Sequence, residues 1–492
     1  MPRSKSLSSL GLNTVNGNDP LITSIVFDSR QVIPGCLFAA LKGGSVHGAQ
    51  FVADVLNHGA AAILTDKEGQ KILEGQRINA LVVEIDARRA LAKAASLFTE
   101  KQPQNIIAIT GTNGKTSVAT FCRQLWIETG IEAINIGTTG VEGSWCTPIG
   151  YTTPDPVKLH QVLHEAASQG ITHVAMEASS HGLDQRRLDG VEISTTAFTN
   201  FSRDHLDYHN SYEDYFNAKK GLFERLCPKE KVGVFNIDTQ EIKNLADWYA
   251  RNNRVLTIGH QKTADLVILT QKFYPDSQDI RFSFRNKVYQ KSINLIGAFQ
   301  AKNLLMAALL VISSGQNEEK IFEILENVKP VRGRMELAAT KKNGATVYVD
   351  YAHTPDAIEV ALKSLKPHIL GKLIVIIGAG GERDEGKRPL MGKAAEKNSD
   401  FVIITDDNPR KEDPSLIHQM IKNGIQDNGK VMVIADRAEA ILKAVDLLDT
   451  GDGLLIAGKG HETEQFIGEN IFPFDDFEQA SLSVASLDGV EQ

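Results

Sequence analysis

Short apolar runs that end in polar or glycine-rich loops recur along this chain, and many precede stretches with the apolar spacing of a helix. Such an alternation of strands and helices predicts an α/β fold with mostly parallel sheets. In the first section, helices are expected at 48–58 and 87–100, and strands at 24–27, 37–40, 61–64 and 81–83. This part of the chain is therefore expected to form a small α/β domain.

The middle of the chain repeats this rhythm on a larger scale. Strands are expected at 106–110, 133–136, 172–176, 195–198, 232–235 and 255–258. Between residues 266 and 295, apolar and polar residues alternate without helical spacing, which predicts antiparallel hairpins. A helix is then expected at 298–313, after Gly297. The middle section is therefore expected to be a mostly parallel sheet with crossover helices.

A third strand–helix series begins near Pro330, with strands expected at 346–349, 373–377, 401–405, 431–434 and 454–457. Polar residues around Pro103 indicate a linker between the first two sections. A length of 492 residues agrees with about three domains. We therefore expect domains at 1–100, 101–330 and 331–492.

The most informative stretch follows the expected strand at 106–110. It reads Gly-Thr-Asn-Gly-Lys-Thr-Ser at 111–117 and continues as a helix to Glu128. A strand, a glycine turn and a helix N-terminus together form a phosphate cradle, in which a lysine adds positive charge and a hydroxyl binds Mg²⁺. The loop is shorter than the common pattern, because Ile109 occupies the position of its first glycine. It predicts a nucleoside triphosphate site, with an ordinary strand–turn–helix as the alternative.

Polar clusters follow several other expected strands. Glu177 is well placed to bind Mg²⁺, although the serines that follow it are also suited to capping a helix. Residues 200–209 contain two histidines, two aspartates and an arginine, which is unusual for a simple connection. In the third section, charged loops lie at 350–356, 381–384, 406–410 and 458–462. Because parallel strands end at one edge of a sheet, these loops indicate a binding face rather than separate solvated turns.

Composition narrows the class of protein. The chain is 42% hydrophobic and 23% charged, with no apolar run near the ~20 residues that span a bilayer. The net charge of −8 and the lack of a basic stripe argue against a nucleic-acid partner. Four cysteines without metal-like spacing suggest reduced thiols. We expect a cytoplasmic protein with no membrane segment and no secretion signal.

Four segments in combination resemble the Mur ligase family, the ATP-dependent amino-acid ligases that build the peptidoglycan stem peptide. They are Gly-Thr-Asn-Gly-Lys-Thr at 111–116, Glu-Ala-Ser-Ser-His-Gly at 177–182, Ser-Arg-Asp-His-Leu-Asp-Tyr-His at 202–209 and Asp-Tyr-Ala-His-Thr-Pro-Asp at 350–356. The resemblance covers nearly the whole chain. It implies an α/β fold of three domains: a uridine-nucleotide-binding N-terminal domain, a central P-loop parallel-sheet ATPase domain and a Rossmann-like C-terminal domain.

The resemblance also implies a reaction in peptidoglycan precursor synthesis. ATP would phosphorylate the γ-carboxylate of D-glutamate in UDP-N-acetylmuramoyl-L-Ala-D-Glu (UDP-MurNAc-dipeptide), and the amine of meso-diaminopimelate would attack the acyl phosphate to give an amide, ADP and phosphate. Positioning and neutralisation of negative charge are the main tasks in such a reaction. The expected partners are these small molecules and Mg²⁺, and the expected state is a monomer.

Site residues follow from the same resemblance, motif by motif. The expected catalytic residues are Lys115, Glu177, His205 and Lys219, the last matching the family's carbamylated lysine. The expected metal ligands are Thr116, Glu177, His205 and carbamylated Lys219. The expected ATP contacts are Gly111, Thr112, Asn113, Gly114, Lys115, Thr116, Ser117, Asn303, Arg334 and Asp350.

Two further groups match contacts to the other substrates. For the UDP-MurNAc-dipeptide they are Phe27, Ser29, Gly44, Ser45, Val46, Thr152, Thr153, Ser179, Gln185 and Arg187. Family members commonly have Asn before the paired threonines, where this chain has Tyr151. For diaminopimelate they are Arg383, Asp407, Asn408, Pro409, Arg410, Gly458 and Glu462. Arg410 is suited to the carboxylate that distinguishes diaminopimelate from lysine.

Three other functions are compatible with parts of the sequence. A lysine-adding ligase of the same family usually lacks an arginine at the position of Arg410. A folylpolyglutamate synthase would not need the N-terminal segment around Asp28-Ser29-Arg30. A P-loop binding module that uses ATP only as a conformational switch would not depend on an amino acid.

Overall fold

A computed structural model describes residues 4–44, 46–150, 152–205 and 208–489. Within these ranges, the chain forms three main sheets in succession, of four, ten and six strands. Two short antiparallel pairs accompany them, β1 (Lys5–Ser6) with β2 (Leu21–Ile22), and β23 (Glu464–Ile467) with β24 (Asn470–Pro473). The expected α/β fold is confirmed.

The first sheet is parallel throughout and is covered by helices on both faces. Its strands, in spatial order, are β3 (Ser24–Val26), β4 (Cys36–Ala40), β5 (Ala62–Thr65) and β6 (Leu81–Val83). Its helices are α1 (Val52–Asn57), α2 (Lys67–Ile72) and α3 (Ala87–Thr99). Leu37 packs with α3, whereas the next residue, Phe38, packs with α1 on the opposite face. This alternation explains why β4 is a continuous apolar run.

The central sheet contains the strand that leads into the phosphate loop. Its spatial order is β16-β15-β14-β13-β12-β11-β7-β10-β8-β9. These strands are β7 (Asn105–Thr110), β8 (Ala133–Gly137), β9 (Gly140–Gly143), β10 (His173–Glu177), β11 (Ile193–Phe198), β12 (Val232–Asn236), β13 (Arg254–Gly259), β14 (Leu266–Phe273), β15 (Gln278–Phe284) and β16 (Lys287–Ile293). The expected hairpins at 266–295 are confirmed, and they extend the parallel sheet rather than forming a separate one.

Helices cover both faces of the central sheet. They are α4 (Lys115–Glu128), α5 (Pro156–Ser168), α6 (Ser180–Asp184), α7 (Tyr212–Gly221), α8 (Gln240–Tyr249), α9 (Ala298–Ser313) and α10 (Glu318–Glu323). Ile107 and Ile109 of β7 pack with α4 and α9, and the alternate residue Ala108 packs on the other side with α5. The phosphate-loop strand is therefore buried on both faces, which fixes the position of the loop that follows it.

The third sheet is parallel except at one edge. Its spatial order is β17 (Glu336–Thr340), β18 (Thr346–Asp350), β22 (Gly453–Ala457), β19 (Leu373–Ile377), β20 (Phe401–Ile404) and β21 (Val431–Val433). The antiparallel edge strand β17 was not predicted. The helices of this region are α11 (Pro355–Leu365), α12 (Lys387–Asn398), α13 (Pro414–Lys422), α14 (Arg437–Asp446) and α15 (Asp476–Leu487).

Contacts between these regions are specific. The Arg186 side chain donates to Asp86 at 2.9 Å, and the Ser96 hydroxyl donates to the Gly190 carbonyl at 3.0 Å. The Tyr348 hydroxyl reaches the carbonyl of Pro275 at 2.5 Å, which joins the third sheet to the hairpin region of the central one. Among the described residues, no helix is long and apolar enough to cross a membrane.

Most predicted elements are found within a residue or two of their expected bounds. The helix expected at 48–58 is an exception, because it opens as a 3₁₀ turn at Gly48–Phe51 before α1 begins. The pair β23–β24 was also not predicted, and it contacts the loop after β20.

Candidate functional site

The phosphate loop has the backbone that its glycines permit. Gly111 has φ +146° and Gly114 has φ +83°, and Gly114 immediately precedes α4. A Cβ atom at Gly114 would lie 2.7 Å from the Asn303 side-chain oxygen, so α9 approaches the loop at this point. Glycine is therefore needed here both for the left-handed backbone and for the close approach.

The segment after β11 holds the loop from the side. The Thr112 amide donates to the Asn200 carbonyl at 2.9 Å, and the Asn113 amide donates to the Asn200 side-chain oxygen at 2.8 Å. The Thr199 hydroxyl donates to the Asn113 carbonyl at 2.6 Å. Because β11 is the neighbour of β7 in the sheet, the expected polar cluster at 200–209 begins directly against the phosphate loop.

Two lysines converge on the Gly111 carbonyl. Lys115 donates to it at 3.0 Å and to the Thr112 carbonyl at 2.8 Å, and Lys219 of α7 donates to it at 2.7 Å. The Lys219 side chain is buried, and its ammonium lies 4.5 Å from the centroid of the Tyr215 ring. Burial, reinforced by the nearby Lys115 cation, holds the pKa of Lys219 well below its ordinary value. Both effects shift the protonation equilibrium of Lys219 toward the neutral amine.

Glu177 lies at the end of β10, on the other side of β7. Its carboxylate is 2% exposed and accepts from the Thr138 amide at 2.8 Å and from the Thr138 hydroxyl at 3.3 Å. A Cβ at Gly137 would lie 2.0 Å from a Glu177 oxygen, so this glycine makes room for the carboxylate. Thr138 was not predicted, and no sequence motif indicates that its backbone amide orients Glu177.

His205 lies in a cluster of aromatic and imidazole rings. Its ring centroid is 5.0 Å from that of His181 and 5.9 Å from that of Tyr215. Burial lowers the pKa of His205 to about 4, with Lys115 and Lys219 acting in the same direction against the opposing charge of Asp204. Among the described residues, no group of three or more His, Cys, Asp or Glu side chains is arranged to bind a metal.

Arg334 connects the phosphate loop with the third sheet. Its guanidinium donates to the Thr116 hydroxyl at 3.3 Å and lies 4.4 Å from the centroid of the Tyr351 ring. The Asp350 carboxylate accepts from the Met335 amide at 2.7 Å and the Ala352 amide at 2.8 Å. Burial raises the pKa of Asp350, while Arg334 and the two amides oppose that shift. Asn303, Arg334 and the phosphate loop are thus brought together, while Asp350 supports the backbone beside them.

Of the remaining predicted ATP contacts, Ser117 is buried within the first turn of α4, where its side chain is 3% exposed. Thr116, one residue earlier, is the hydroxyl that meets Arg334. The loop pattern alone allows either hydroxyl to bind Mg²⁺, and the family resemblance implies Thr116. The contact with Arg334 favours Thr116.

An open cavity of about 280 Å³ lies in the N-terminal region. Phe27, Ser29 and Val46 line it, three of the five residues expected on the uridine side. Phe27 and Val46 are 45% and 44% exposed, which leaves them available for contact. Gly44 is exposed on the same loop, and Ser45 lies outside the described residues.

The residues expected to contact the sugar-dipeptide form one hydrogen-bonded group. Arg187 donates to the Thr153 carbonyl at 2.6 Å and to the Gln185 side-chain oxygen at 2.7 Å. The Thr153 hydroxyl lies 3.0 Å from that of Ser179. The Thr152 hydroxyl lies 3.1 Å from that of Thr138, which joins the group to Glu177. Tyr151 is outside the described residues.

The third sheet brings most of the expected amino-acid contacts together. The Asn408 side-chain nitrogen donates to the Glu462 carboxylate at 2.9 Å, and a Cβ at Gly458 would lie 2.6 Å from an Asp407 oxygen. Lys459 is completely buried and lies 3.4 Å from both Asn408 and Glu462. Burial, and then the neighbouring Asp407 carboxylate, raise the pKa of Glu462. Lys459 lies within a predicted loop, but its contacts were not predicted.

Arg410 has a strained backbone and a fixed side chain. Its φ is +52°, and its guanidinium donates to the Gly381 carbonyl at 2.9 Å. The β23–β24 hairpin holds its main chain, since the Arg410 amide donates to the Phe466 carbonyl at 3.0 Å and its own carbonyl accepts from Gly468 at 2.7 Å. Pro409 is buried and Arg383 is exposed on the adjacent loop. A non-glycine residue held at positive φ at a loop of this kind is typical of functional sites.

The fold and this site define a class, the P-loop α/β proteins, and here Arg334 reaches the phosphate loop from the region of another sheet. Comparison with family models identifies the family within this class. "Mur ligase family, catalytic domain" matches residues 21–99, "Mur ligase middle domain" matches 109–311, and "Mur ligase, glutamate ligase domain" matches 333–460. The chain belongs to the Mur ligase family, as its motifs predicted. Membership in this ATP-dependent family implies that the protein uses ATP and acts on small-molecule substrates.

Named relatives are similar over nearly their full length. The chain is 44% identical to UDP-N-acetylmuramoyl-L-alanyl-D-glutamate–2,6-diaminopimelate ligase of Rhizobium meliloti, covering 95% of each protein. It is 43% identical to the protein of the same name from Caulobacter vibrioides, covering 99% of each. A solved structure of a ligase with this name has 32% identity, 99% coverage of both chains and a TM-score of 0.71.

A more distant structure shares only the fold. Folylpolyglutamate synthase of Mycobacterium tuberculosis, complexed with ADP and AMPPCP, has 17% identity and a TM-score of 0.62. The match covers 82% of this chain and 96% of the synthase.

Proposed function

We propose that this protein is the ATP-dependent ligase that joins meso-diaminopimelate to the D-glutamate γ-carboxylate of UDP-MurNAc-L-Ala-D-Glu. The observation that supports this most is its 44% identity, over 95% of both chains, to an enzyme named for that reaction. In the first step a γ-carboxylate oxygen attacks the terminal phosphorus of ATP, and ADP leaves. In the second the amine attacks the acyl carbon, phosphate leaves, and the amine nitrogen loses a proton to give the amide.

The phosphate loop would position the ATP. The backbone amides at the start of α4 are suited to the phosphates, and Lys115 adds a charge within reach of the loop carbonyls. Asn303 and Arg334 approach the loop from α9 and from the third sheet, so both can contact the nucleotide. Asp350 supports this arrangement by holding the backbone beside Arg334.

The residues around the loop fit magnesium. Thr116 and Glu177 offer a hydroxyl and a buried carboxylate, and Mg²⁺ prefers oxygen ligands with one or two carboxylates completed by phosphates and water. His205 and a carbamylated Lys219 would hold a second ion, and the low pKa of His205 keeps its imidazole in the neutral form that binds metals. Bound Mg²⁺ would neutralise charge on the phosphate oxygens.

Lys219 has the environment that carbamylation requires. Only a neutral amine attacks carbon dioxide, and burial next to Lys115 favours that form. The amine nitrogen bonds to the carbon of CO₂ and loses a proton, which converts a cation into an anion. That anion would lie beside the Lys115 cation, since both lysines reach the Gly111 carbonyl.

The substrate contacts span two regions. Phe27 and Val46 offer exposed apolar surface for the uracil, and Ser29 and Gly44 lie on the loops around it. Ser45 is the remaining proposed contact on the uridine side. The hydrogen-bonded group of Thr152, Thr153, Ser179, Gln185 and Arg187 would contact the sugar-dipeptide part. Thr152 is joined through Thr138 to Glu177, whose strand pairs with the strand that precedes the phosphate loop. A dipeptide bound by this group would therefore have its γ-carboxylate directed toward the phosphate loop.

Arg410 would select the amino acid. Diaminopimelate has a second carboxylate where lysine ends in an ammonium, and a guanidinium pairs with a carboxylate through two parallel hydrogen bonds. Arg383, Asp407, Asn408, Pro409, Gly458 and Glu462 complete this site. Lysine would leave Arg410 without an anion, a difference on the order of a few kcal/mol.

The proposal includes the working state of the protein. We propose a monomer that acts in the cytoplasm, with domains at 1–100, 101–330 and 331–492. Family models that meet near these boundaries, at 21–99, 109–311 and 333–460, support the division.

One assay separates the proposed reaction from its alternatives. Phosphate release is measured with ATP, UDP-MurNAc-L-Ala-D-Glu and either meso-diaminopimelate or L-lysine. We expect release that depends on meso-diaminopimelate and is far slower with lysine. A preference for lysine would contradict the assignment of Arg410, and release that ignores the amino acid would contradict a ligase. Activity with a folate and glutamate instead would favour the folylpolyglutamate synthase alternative.

A further inference from the structure

A fully buried ion pair lies behind the loops of the third sheet. The Arg437 guanidinium donates to both carboxylate oxygens of Asp476, each at 2.7 Å, and both side chains are 0% exposed. Arg437 begins α14 and Asp476 begins α15. Neither residue lies in the motifs of the phosphate loop or of the substrate-binding loops, and neither is among the residues assigned to the proposed reaction.

The remaining donors of Arg437 point at two strand ends. One donates to the Asp406 carbonyl, just beyond β20, at 3.2 Å, and another donates to the Ala457 carbonyl, the last residue of β22, at 3.0 Å. These strands do not pair with each other, because β19 lies between them in the sheet. Arg437 therefore joins two strand ends that the sheet itself leaves unconnected.

The next residue after each of these carbonyls is a predicted diaminopimelate contact. Asp407 follows Asp406, and Gly458 follows Ala457. A Cβ on Gly458 would come within 2.6 Å of an Asp407 oxygen, so the two loops already touch. Burial alone would lower the pKa of Arg437, but Asp476, followed by Asp407 and Glu462, raises it. The charge of Arg437 is thus felt at the predicted site.

We infer that Arg437 and Asp476 are positioning residues that set the spacing of the amino-acid-binding loops after β20 and β22. The inference rests on the proposed function of these loops. Asp476 fixes the orientation of the guanidinium, and the guanidinium fixes the Asp406 and Ala457 carbonyls. The planar fork of arginine makes this possible, because it donates in several fixed directions at once.

A purely structural ion pair would behave differently from a positioning pair. Loss of a structural pair lowers stability and reduces the amount of folded protein, but leaves each KM unchanged in the protein that remains folded. Loss of a positioning pair moves Asp407 relative to Gly458, and small displacements of binding groups weaken substrate binding. KM for diaminopimelate should therefore respond while KM for ATP does not.

The test compares Asp476→Asn with Asp452→Asn. Asp452 is a buried aspartate, 5% exposed, that immediately precedes β22. It therefore lies at the end of β22 opposite to Ala457, away from the Arg437 contact. For Asp476→Asn we expect KM for meso-diaminopimelate to rise roughly tenfold while KM for ATP changes less than about twofold. Asp452→Asn should change neither value, even where it lowers the melting temperature.

Arg437→Lys provides a second variant if Asp476→Asn does not fold. Lysine keeps the charge beside Asp476 but lacks the fork that reaches both carbonyls. A folded variant whose two KM values move together, or not at all, overturns the inference. Failure of both variants to fold while Asp452→Asn folds would assign the pair to folding and also overturn it. A wild-type protein that does not prefer diaminopimelate would contradict the proposed function instead.

Discussion

Arg410 is the side chain that we propose determines the product. Its guanidinium is presented by a backbone at positive φ and is held by the Gly381 carbonyl, so little freedom remains to be lost on binding. A carboxylate that reaches it would gain a charge-assisted, bidentate contact. The adjacent Lys411 is also cationic, but it lies at the surface and pairs only loosely with Glu469 at 3.4 Å.

Substitution of Arg410 by alanine should therefore weaken the use of one substrate. We expect KM for meso-diaminopimelate to rise by about 100-fold, corresponding to roughly 2–3 kcal/mol, with KM for ATP nearly unchanged. Lys411→Ala is the matched control, because it removes the neighbouring charge outside the site. Steady-state kinetics with each substrate varied in turn measures both constants. An equal rise for both substrates would mean that Arg410 has a structural role.

At this scale the sequence indicates candidate side chains more readily than the groups that orient them. Glu177 and Lys219 were identified from motifs. The Thr138 amide that orients Glu177, and the Gly111 carbonyl that accepts from Lys219, were not. These partners are backbone groups brought close by strand order, and backbone groups have no signature in a sequence.

At the scale of elements, the two ends of α4 provide a controlled comparison. Gly114 precedes the helix at φ +83° and Gly130 follows it at φ +86°. A Cβ at Gly114 would lie 2.7 Å from Asn303, whereas at Gly130 it would meet nothing within 4 Å. Alanine at either position would have the same backbone strain, but only at Gly114 would its Cβ clash with a neighbouring side chain.

Gly114→Ala should abolish most ATP binding, because the loop must shift away from α9. Gly130→Ala should cost stability by about 1 kcal/mol while leaving ATP binding intact. Calorimetric titration with an ATP analogue, alongside thermal unfolding, separates the two effects. Retention of normal ATP affinity by Gly114→Ala would contradict the position assigned to the nucleotide.

A second feature at the scale of elements is the contact between α5 and the loop before β11. His160 of α5 is 0% exposed, lies 3.5 Å from the Asp189 carbonyl, and has a pKa lowered to about 4 by burial. In the unfolded chain His160 has the ordinary histidine pKa near 6.5. Between about pH 4 and pH 6.5 the unfolded chain therefore binds a proton at His160 more readily than the folded protein does. The contribution of His160 to the free energy of unfolding should therefore be fully present above about pH 6.5 and should be lost as the pH decreases toward 4.

From pH 7.5 to pH 5, His160 should account for a loss of about 2 kcal/mol in the free energy of unfolding. His160→Gln lacks this titration, so its stability should fall less over the same range. Urea unfolding at the two pH values measures the difference, with the exposed His58→Gln as control. Parallel losses in wild type and His160→Gln would show that His160 is not the group responsible.

The elements themselves were largely predictable, and the reasons are physical. Strands buried on both faces, such as β7 and β19, give continuous apolar runs bounded by turns. The exceptions, β17 and β23–β24, are short and partly exposed strands that belong to hairpins with the neighbouring strand in the chain. They lack the continuous apolar runs that mark the buried strands, so the sequence pattern did not reveal them.

At the scale of the whole molecule, the reaction requires groups from different sheets to meet. Arg334 already contacts Thr116, so the third sheet approaches the phosphate loop on one side. Arg410 belongs to another loop of the third sheet, and it must reach the same substrate. Enzymes of this kind close around their substrates to exclude water and align the reacting groups.

We therefore expect ligands to contract the protein. Small-angle scattering with an ATP analogue and UDP-MurNAc-dipeptide should give a smaller radius of gyration than the free protein. Gly114→Ala, which should not bind the nucleotide, should not contract. Identical profiles for free and bound wild type would mean that the sheets do not move relative to one another.

The sequence could not predict this arrangement of sheets. Motifs identify loops at strand ends, but the distance between two sheets depends on contacts such as that of Tyr348 with Pro275. These contacts join residues far apart in the chain and have no repeated pattern. The family resemblance compensates for this, because a whole fold is inherited together with its motifs.

The central claim is that the D-glutamate γ-carboxylate becomes an acyl phosphate and is then captured by diaminopimelate. The most direct measurement uses UDP-MurNAc-L-Ala-D-Glu with ¹⁸O in both oxygens of that carboxylate and analyses the released phosphate by mass spectrometry. One labelled oxygen should appear in each phosphate, in step with tripeptide formation, when meso-diaminopimelate is present. Unlabelled phosphate, or labelled phosphate formed equally well with lysine, would contradict the account.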